Sequence, residues 1–449
     1  MRCDLMPSPR KTALDILLKI EKDKSYSNLL VDSYLSGGSL QGRDAAFMTT
    51  LVYGVLENMI CLDYFISHFS ARSAAKLDPK VRNILRLGAY QIIFLDHVPN
   101  HAAVSESVEL AKKCGVSRAS GFINAVLRKI SQQSDLPYPD KQRDLKRYLH
   151  VRYSCPNWLL NKWIKEYGID NTVGFLEGFE KRPAAVLRVN TLKISSEELI
   201  ERLSEEGINA KKVPFPDHAL EVDRLPDLRN SKAFNEGLFI VQNTASQVCC
   251  YACGAKPGDT VIDMCAAPGG KSFTLAFNMQ NKGRILSLEL YENRLKLIND
   301  GARRLSVDII ETMQNDASKR NEALGKADIV LCDVPCSGLG VIGRKPEIRY
   351  KDPAEFDGLP DLQYAILSEG AEHVKDGGTL VYSTCTLSRA ENDEVAERFL
   401  ENHREFSAAL PRVVVDFAGK GASGSAYATL MPNVTGTDGF FISVFKKTK

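Results

Sequence analysis

The chain has 449 residues, 44% hydrophobic, 25% charged and 8% aromatic, with a formal net charge of +2. That length exceeds one small module and suits about three domains of ~100–200 residues. The composition is that of a soluble folded chain and excludes a disordered, collagenous or membrane-embedded one.

The first ten residues, MRCDLMPSPR, lack the apolar stretch of a secretory signal, and no later run reaches the ~20 apolar residues of a membrane span. A cytoplasmic location and no membrane partner are expected. Eleven cysteines without paired regular spacing read as reduced thiols rather than disulfides. Residues 1–150 carry 21 Lys+Arg against 15 Asp+Glu, and 251–449 carry 24 against 27. The basic surplus at the front permits a polyanionic partner without demanding one, because a surplus this small is often a solvated face.

From Arg10 to about Ile130 the apolar period is helical: Ala13, Ile16, Leu17 and Ile20 fall at i, i+3, i+4 and i+7, and Val104, Val108 and Ala111 continue it. Pro79 and Pro99 stand at helix starts, with Gly115 and Gly121 between helices. An all-α domain over residues 1–132 is expected. The polar stretch SQQSDLPYPDKQRDLKRYLH with its two prolines supplies a linker at 133–150. Residues 151–245 combine a helix around Trp158 and Trp163, a strand AAVLRVN and a helix from Ser195 to Gly207, which predicts a small α+β domain. Over 246–449 the strands TVIDM, RILSL, DIVLC and TLVYS alternate with helical stretches, the pattern of a parallel, doubly wound α/β sheet. Ligands of such sheets bind at the carboxyl ends of the strands.

The candidate chemistry sits at those ends. TVIDM runs into CAAPGGKSFTLA, so that Asp263 ends a strand, Gly269 and Gly270 permit close backbone approach, and Lys271 opens a helix. Gly270-Lys271-Ser272 match the end of a phosphate-binding loop, but Cys265 stands where its first glycine belongs. RILSL ends on Glu289, 26 residues after Asp263, placed for a ribose hydroxyl pair or merely for a helix dipole. Asp316 suits either an adenine-bearing ligand or a cap. DIVLC leads to Asp333 and Cys336, and TLVYS to Cys385. Each cysteine alone is more often inert packing, but their convergence suits covalent activation of an unreactive ring carbon. Cys250 and Cys253 have the spacing of half a zinc site with no second pair, and no histidine lies at metal-ligand spacing, so no metal is expected. Arg344, Lys345 and Arg349 could hold a phosphate backbone or simply be solvated.

Asp263-Met264-Cys265-Ala266-Ala267-Pro268-Gly269-Gly270-Lys271, then Asp333-Val334-Pro335-Cys336-Ser337-Gly338, then Ser383-Thr384-Cys385 resemble the RNA 5-methylcytosine methyltransferases. RLGAYQIIFLDHVPNHAAVSESVELAKK and GFINAVLRKI resemble the NusB-type helical RNA-binding domain. Together with YSCPNWLLNKWIKEYG and GTDGFF, they resemble the RsmB (Sun/Fmu) family, which methylates small-subunit ribosomal RNA. The resemblance spans nearly the whole chain. It implies a multidomain protein: an all-α NusB-like front, a small α+β RNA-recognition domain and a Rossmann-like class I methyltransferase domain. It implies S-adenosylmethionine as donor, held by Cys265, Ala266, Ala267, Pro268, Gly269, Gly270 and Lys271, with Glu289 on the ribose, Asp316 near the adenine and Asp333 beside donor and base. Cys385 is implied as nucleophile on carbon 6 of a flipped cytosine, Asp333 as its partner on the ring, and Cys336 as the residue that assists release. The implied substrate is 16S ribosomal RNA rather than DNA, and a monomer is expected.

Two positions depart from the family pattern: Glu289 replaces a common aspartate, and Asn243 a frequent acidic residue. Two other readings stay open: a non-catalytic NusB-like RNA-binding or ribosome-assembly factor, and a DNA-type enzyme in which Cys336 is the nucleophile.

Overall fold

The computed structural model describes residues 8–448 except 24–26, 39, 182–183, 226–227, 229 and 424–425. Residues 1–7, most of the segment read for a leader, lie outside the described residues. No single helix among the described residues is long and apolar enough to cross a membrane. The chain divides into two compact units, residues 1–176 with 344–351, and residues 177–343 with 352–449.

The first unit is helical, with helices Pro9–Asp23, Ser27–Ser36, Gly42–Glu57, Met59–Ser70, Pro79–Phe94, Asn100–Lys113 and Ser120–Ser131. The expected stripe Ala13, Ile16, Leu17 and Ile20 is buried. The proline starts hold: Asp78 caps the helix opened by Pro79, accepting from the amides of Lys80 and Val81, and Pro99 immediately precedes Asn100. Gly115 takes a left-handed φ of 78° between helices, whereas Gly121 lies inside one. Gly54 is required by packing, because a Cβ there would lie 1.9 Å from Cζ of Tyr90.

The expected linker differs in its second half. Residues Leu145–Arg152 form a helix whose first turn is capped by Asp144, accepting from the Arg147 amide. The following helical segment, Asn157–Glu180, is broken at Gly168 (φ 81°) and buries Trp163 edge-on to Phe175. The division between units falls at Leu176, some way past the expected domain edge at 150.

The second unit opens on a four-stranded antiparallel sheet of β1 (Ala185–Val189), β2 (Ala210–Lys212), β3 (Ala219–Val222) and β4 (Phe239–Val241), in the order β2-β3-β1-β4. The helix Ser196–Glu205 belongs to it and begins with a capping box between Ser195 and Glu198. A nine-stranded sheet follows: β5 (Thr260–Asp263), β6 (Arg284–Glu289), β7 (Ile310–Gln314), β8 (Ala327–Asp333), β9 (Val374–Thr384), β10 (Phe406–Ala408), β11 (Ala422–Ser423), β12 (Tyr427–Leu430) and β13 (Phe440–Lys447). Its order is β11-β12-β13-β9-β8-β5-β6-β7, with β10 paired to β13.

Strands β9-β8-β5-β6-β7 are parallel, but β13 pairs antiparallel with β9, β12 with β13 and β11 with β12, so the sheet is mixed rather than wholly parallel as expected. Only residues 431–439 join β12 to β13, too few for the dozen or more that a parallel crossover needs. The chain passes from β5 to β6 and β7 on one side, then returns to β8 and β9 on the other. That reversal opens a crevice at the carboxyl ends of β5 and β8.

Candidate active site

The strand ends named from the sequence lie along the carboxyl edge of the parallel part of this sheet. Asp263 ends β5, is 1% exposed, and accepts from the Ser272 hydroxyl at 2.7 Å. Burial pushes its carboxyl up to about 6, partly opposed by that hydrogen bond. The chain then turns through 264–269. Gly269, at φ 107°, adopts a backbone that favours glycine, and a Cβ there would press on the Phe273 ring at 2.5 Å. The helix Gly270–Asn278 follows at once, its first amides at the crevice.

Glu289 ends β6 and is buried. It accepts from the Tyr291 amide and from Arg294, each at 3.1 Å, and Arg294 also donates to the carbonyl of Ala267 at 3.2 Å. The arginine therefore ties the second strand end to the turn 264–269. Asp316 lies in the turn after β7, where it accepts from the amide and hydroxyl of Ser318 and pairs with Lys319 at 3.0 Å. The Ser318 hydrogen bond, then that of Lys319, holds its pKa below the usual range. Its local role is a turn cap.

Asp333 ends β8. Lys271 donates to its Oδ2 at 2.6 Å and Ser383, from β9, to its Oδ1 at 2.7 Å. Burial alone would lower the Lys271 ammonium, but the facing Asp333 carboxylate outweighs it and raises its pKa. Lys271 also lies over the Phe440 ring, 5.3 Å from its centroid.

The loop after β8 carries Cys336 and the loop after β9 carries Cys385, and their Sγ atoms are 3.3 Å apart. A hydrogen bond to Cys385, burial, and the neighbouring charges of Cys385 and Glu391 all raise the Cys336 pKa, so Cys336 rests as a thiol. The loops are stitched together: Gly340 donates its amide to the carbonyl of Cys385 at 3.0 Å, and Gly439 donates to the carbonyl of Gly340 at 2.8 Å. A Cβ on Gly340 would sit 2.0 Å from the Gly439 oxygen, so only glycine allows that approach.

One sequence expectation takes a different form. Arg344, Lys345 and Arg349 belong by contacts to the first unit. There Arg349 is buried and donates to the carbonyl of Tyr153 at 3.0 Å, while Glu347 accepts from the amide and hydroxyl of Ser27. Arg349 is thus neither a solvated cation nor placed for phosphate. Cys250 and Cys253 are buried on the helix Thr244–Cys253, where Cys253 donates to the Cys249 carbonyl. Among the described residues no group of three or more His, Cys, Asp or Glu side chains could hold a metal.

Asn243 has a structural reason for standing where an acid is frequent. Its Oδ1 caps the helix at Ser246, and its Nδ2 donates to Asp438 at 3.0 Å, which a carboxylate could not do. Sequence reasoning missed Arg294, Gln363, Glu391 and Asn392. The polar run Glu391-Asn392-Asp393 soon after Cys385 was the only signal for two of them.

A mixed sheet that reverses between β5 and β8, with a glycine turn, carboxylates at its strand ends and two facing cysteines, defines a Rossmann-like methyltransferase domain, here carried with a NusB-type helical domain. Residues 7–132 match the NusB family, 155–229 the RsmF/B-like ferredoxin-like domain, and 251–446 the family described as 16S rRNA methyltransferase RsmB/F. A protein of Bacillus subtilis (strain 168) named "Probable ribosomal RNA small subunit methyltransferase B" is 38% identical over 449 residues, 98% of this chain and 99% of the relative. Its namesake in Synechocystis is 33% identical over 446 residues, 98% of this chain and 100% of the relative. The solved structure of PH0851 aligns with a TM-score of 0.81 at 28% identity, covering 99% of this chain and all of the other. The chain belongs to the ribosomal RNA small subunit methyltransferase B family.

Proposed function

We propose that the protein transfers a methyl group from S-adenosylmethionine to carbon 5 of a cytidine in 16S ribosomal RNA through a transient cysteine adduct. The observation that carries this reading is the pair of thiols 3.3 Å apart beside the Lys271–Asp333 ion pair.

The crevice fits the donor by the chemistry of its groups. Carboxylates end β5, β6 and β8, and accept from hydroxyls and ammonium groups, while the glycine turn and the helix start supply backbone amides. Residues 265–271 would hold the methionine and ribose end, Glu289 the ribose, and Asp316 the adenine side. When bound, S-adenosylmethionine supplies an electrophilic methyl group.

Cys385, as thiolate, adds to carbon 6 of a flipped-out cytosine, breaking the 5,6 double bond and leaving carbon 5 electron-rich enough to take the methyl group. Asp333, fixed by Lys271 and Ser383, hydrogen-bonds the ring and favours that addition. Once the methyl is in place, the carbon-5 proton is taken up by solvent water acting as base, the double bond re-forms and the Cys385 thiolate is expelled. Cys336 assists that release. The NusB-type unit, with its basic surplus, provides the RNA-binding partner of the catalytic unit.

The test incubates wild type, Cys385→Ala and Cys336→Ala with labelled S-adenosylmethionine and unmodified 16S RNA, then digests the RNA and identifies the labelled nucleoside. Label in 5-methylcytidine with wild type alone, and a denaturation-resistant RNA adduct with Cys336→Ala, are expected. Label in another nucleoside would sink the reading, and an adduct with Cys385→Ala would exchange the two cysteine roles.

A further inference from the structure

The two cysteines lie on separate loops, yet each is bracketed by hydrogen bonds leading to one dipeptide. Glu391 closes the short turn Arg389–Glu391 and Asn392 precedes the helix Asp393–Asn402. Both are buried, at 3% and 0% exposure. Beyond Cys336, the Ser337 amide donates to Glu391 Oε2 at 2.8 Å and the Ser337 hydroxyl to Oε1 at 2.6 Å. Before Cys336, the Pro335 carbonyl accepts from Gln363 at 3.0 Å, and that same amide nitrogen donates to Glu391 Oε2 at 3.0 Å. Around Cys385, the Thr384 hydroxyl donates to Asn392 Oδ1 at 2.6 Å, and Asn392 Nδ2 donates to the Thr386 carbonyl at 3.0 Å.

One further bond joins the brackets. The Ser337 and Thr386 hydroxyls are 2.7 Å apart. With the single Ser337 proton committed to the Glu391 carboxylate, Thr386 is the donor. A buried carboxylate and a buried amide, adjacent in sequence, therefore hold the flanks of both thiols.

We propose that Glu391 and Asn392 are the positioning residues that set the two cysteines against each other, Asn392 fixing Cys385 for addition and Glu391 fixing Cys336 for release. The proposal rests on the covalent reading above and assigns the two halves of that chemistry to two neighbouring side chains. Neither residue needs to touch the base. A displacement of about 1 Å at a reacting group costs on the order of 10²-fold in rate, so side chains that fix the loops control the chemistry.

The two variants then fail differently. Glu391→Ala leaves Cys385 aimed but Cys336 loose, so addition and methyl transfer proceed and release stalls. A denaturation-resistant adduct accumulates although Cys336 is present, reproducing Cys336→Ala. Asn392→Ala loosens Cys385, so in the Cys336→Ala background adduct formation slows by about 10²-fold. Asn392→Asp keeps the acceptor for Thr384 but loses the donor to Thr386, and restores part of that rate. In all of these S-adenosylmethionine affinity, measured by titration calorimetry, stays at the wild-type value, because the cradle 265–271 shares none of these bonds.

Glu391→Ala turning over without adduct, or Asn392→Ala forming adduct at the rate of its Cys336→Ala parent, overturns the assignment. Loss of donor affinity in both variants overturns it too, by making the pair a folding element. Absence of adduct in Cys336→Ala itself, with both positioning residues intact, is a separate result that removes the covalent reading and the inference with it.

Discussion

In each unit a largely buried cation faces a carboxylate, and exposure does not tell the two pairs apart: the carboxylate side chains are 29% exposed at Asp63 and 28% at Asp333. Geometry does. In the helical unit the Arg86 fork meets both oxygens of Asp63 at 2.7 Å and spends a third nitrogen on Asn83. Burial would lower the Arg86 pKa, and the Asp63 hydrogen bond and charge more than restore it. That pair is closed, a fastening between helices. In the sheet unit the Lys271 ammonium meets a single oxygen of Asp333, whose other oxygen takes one serine hydroxyl. A point charge on one oxygen leaves acceptor sites open at a strand end, beside two thiols. The fork closes its pair into a fastening, and the point charge leaves its carboxylate open to the chemistry proposed above.

The largest expected effect breaks the chemical side alone. Cys385→Ala should lower methyl transfer by on the order of 10⁴-fold or more, the scale on which a covalent nucleophile acts, with an unchanged unfolding midpoint. Next is Asp333→Asn, which keeps the shape and the Ser383 bond but removes the charge. A drop in kcat of about 10²–10³-fold is expected, and a single-turnover rate within error of wild type would reduce Asp333 to a partner for Lys271. Asp63→Ala tests the structural side. It strands a buried guanidinium, with Glu21, 3.6 Å away, and the Asn83 amide oxygen at 3.2 Å left to compensate. Urea titration should register a loss of about 3 kcal/mol, while the folded fraction binds S-adenosylmethionine as before.

The sequence made the proposed catalytic half of this contrast visible and the structural half invisible. Strand ends could be read because β5, β6, β8 and β9 are apolar runs broken by an acid or a cysteine, and residues flanking such breaks are few. The antiparallel β13 was not legible as such, because its run FFISVFKK is buried on both faces until its last two residues and so looks like a central parallel strand. Glu391 and Asn392 have no period to betray them, since a short turn imposes no spacing on its polar residues. Residues 344–351 read as a basic loop by composition. The burial of Glu347 and Arg349 within them depends on Ser27 and Tyr153, far away in the chain, which no local pattern encodes.

The last prediction sharpens the contrast by adding an acid with no cation bound to it. Asp263 is buried with a serine hydroxyl in place of an ammonium, and burial lifts its carboxyl from 3.8 to about 6. A raised pKa in the folded chain means that folding favours the protonated acid. The stability it contributes is complete below about pH 4, falls as pH rises through about 6, and is absent above. The gap between the two values corresponds to about 3 kcal/mol. The amide introduced by Asp263→Asn would carry no charge at any of these pH values, and its carbonyl would still accept from Ser272. Urea titrations of Asp263→Asn and wild type at pH 4, 5, 6 and 7 should therefore diverge, the variant gaining on wild type by up to that amount between pH 4 and 7. Parallel profiles would mean that Asp263 meets a compensating donor in the folded chain, and the distinction between paired and unpaired acids at these strand ends would fall.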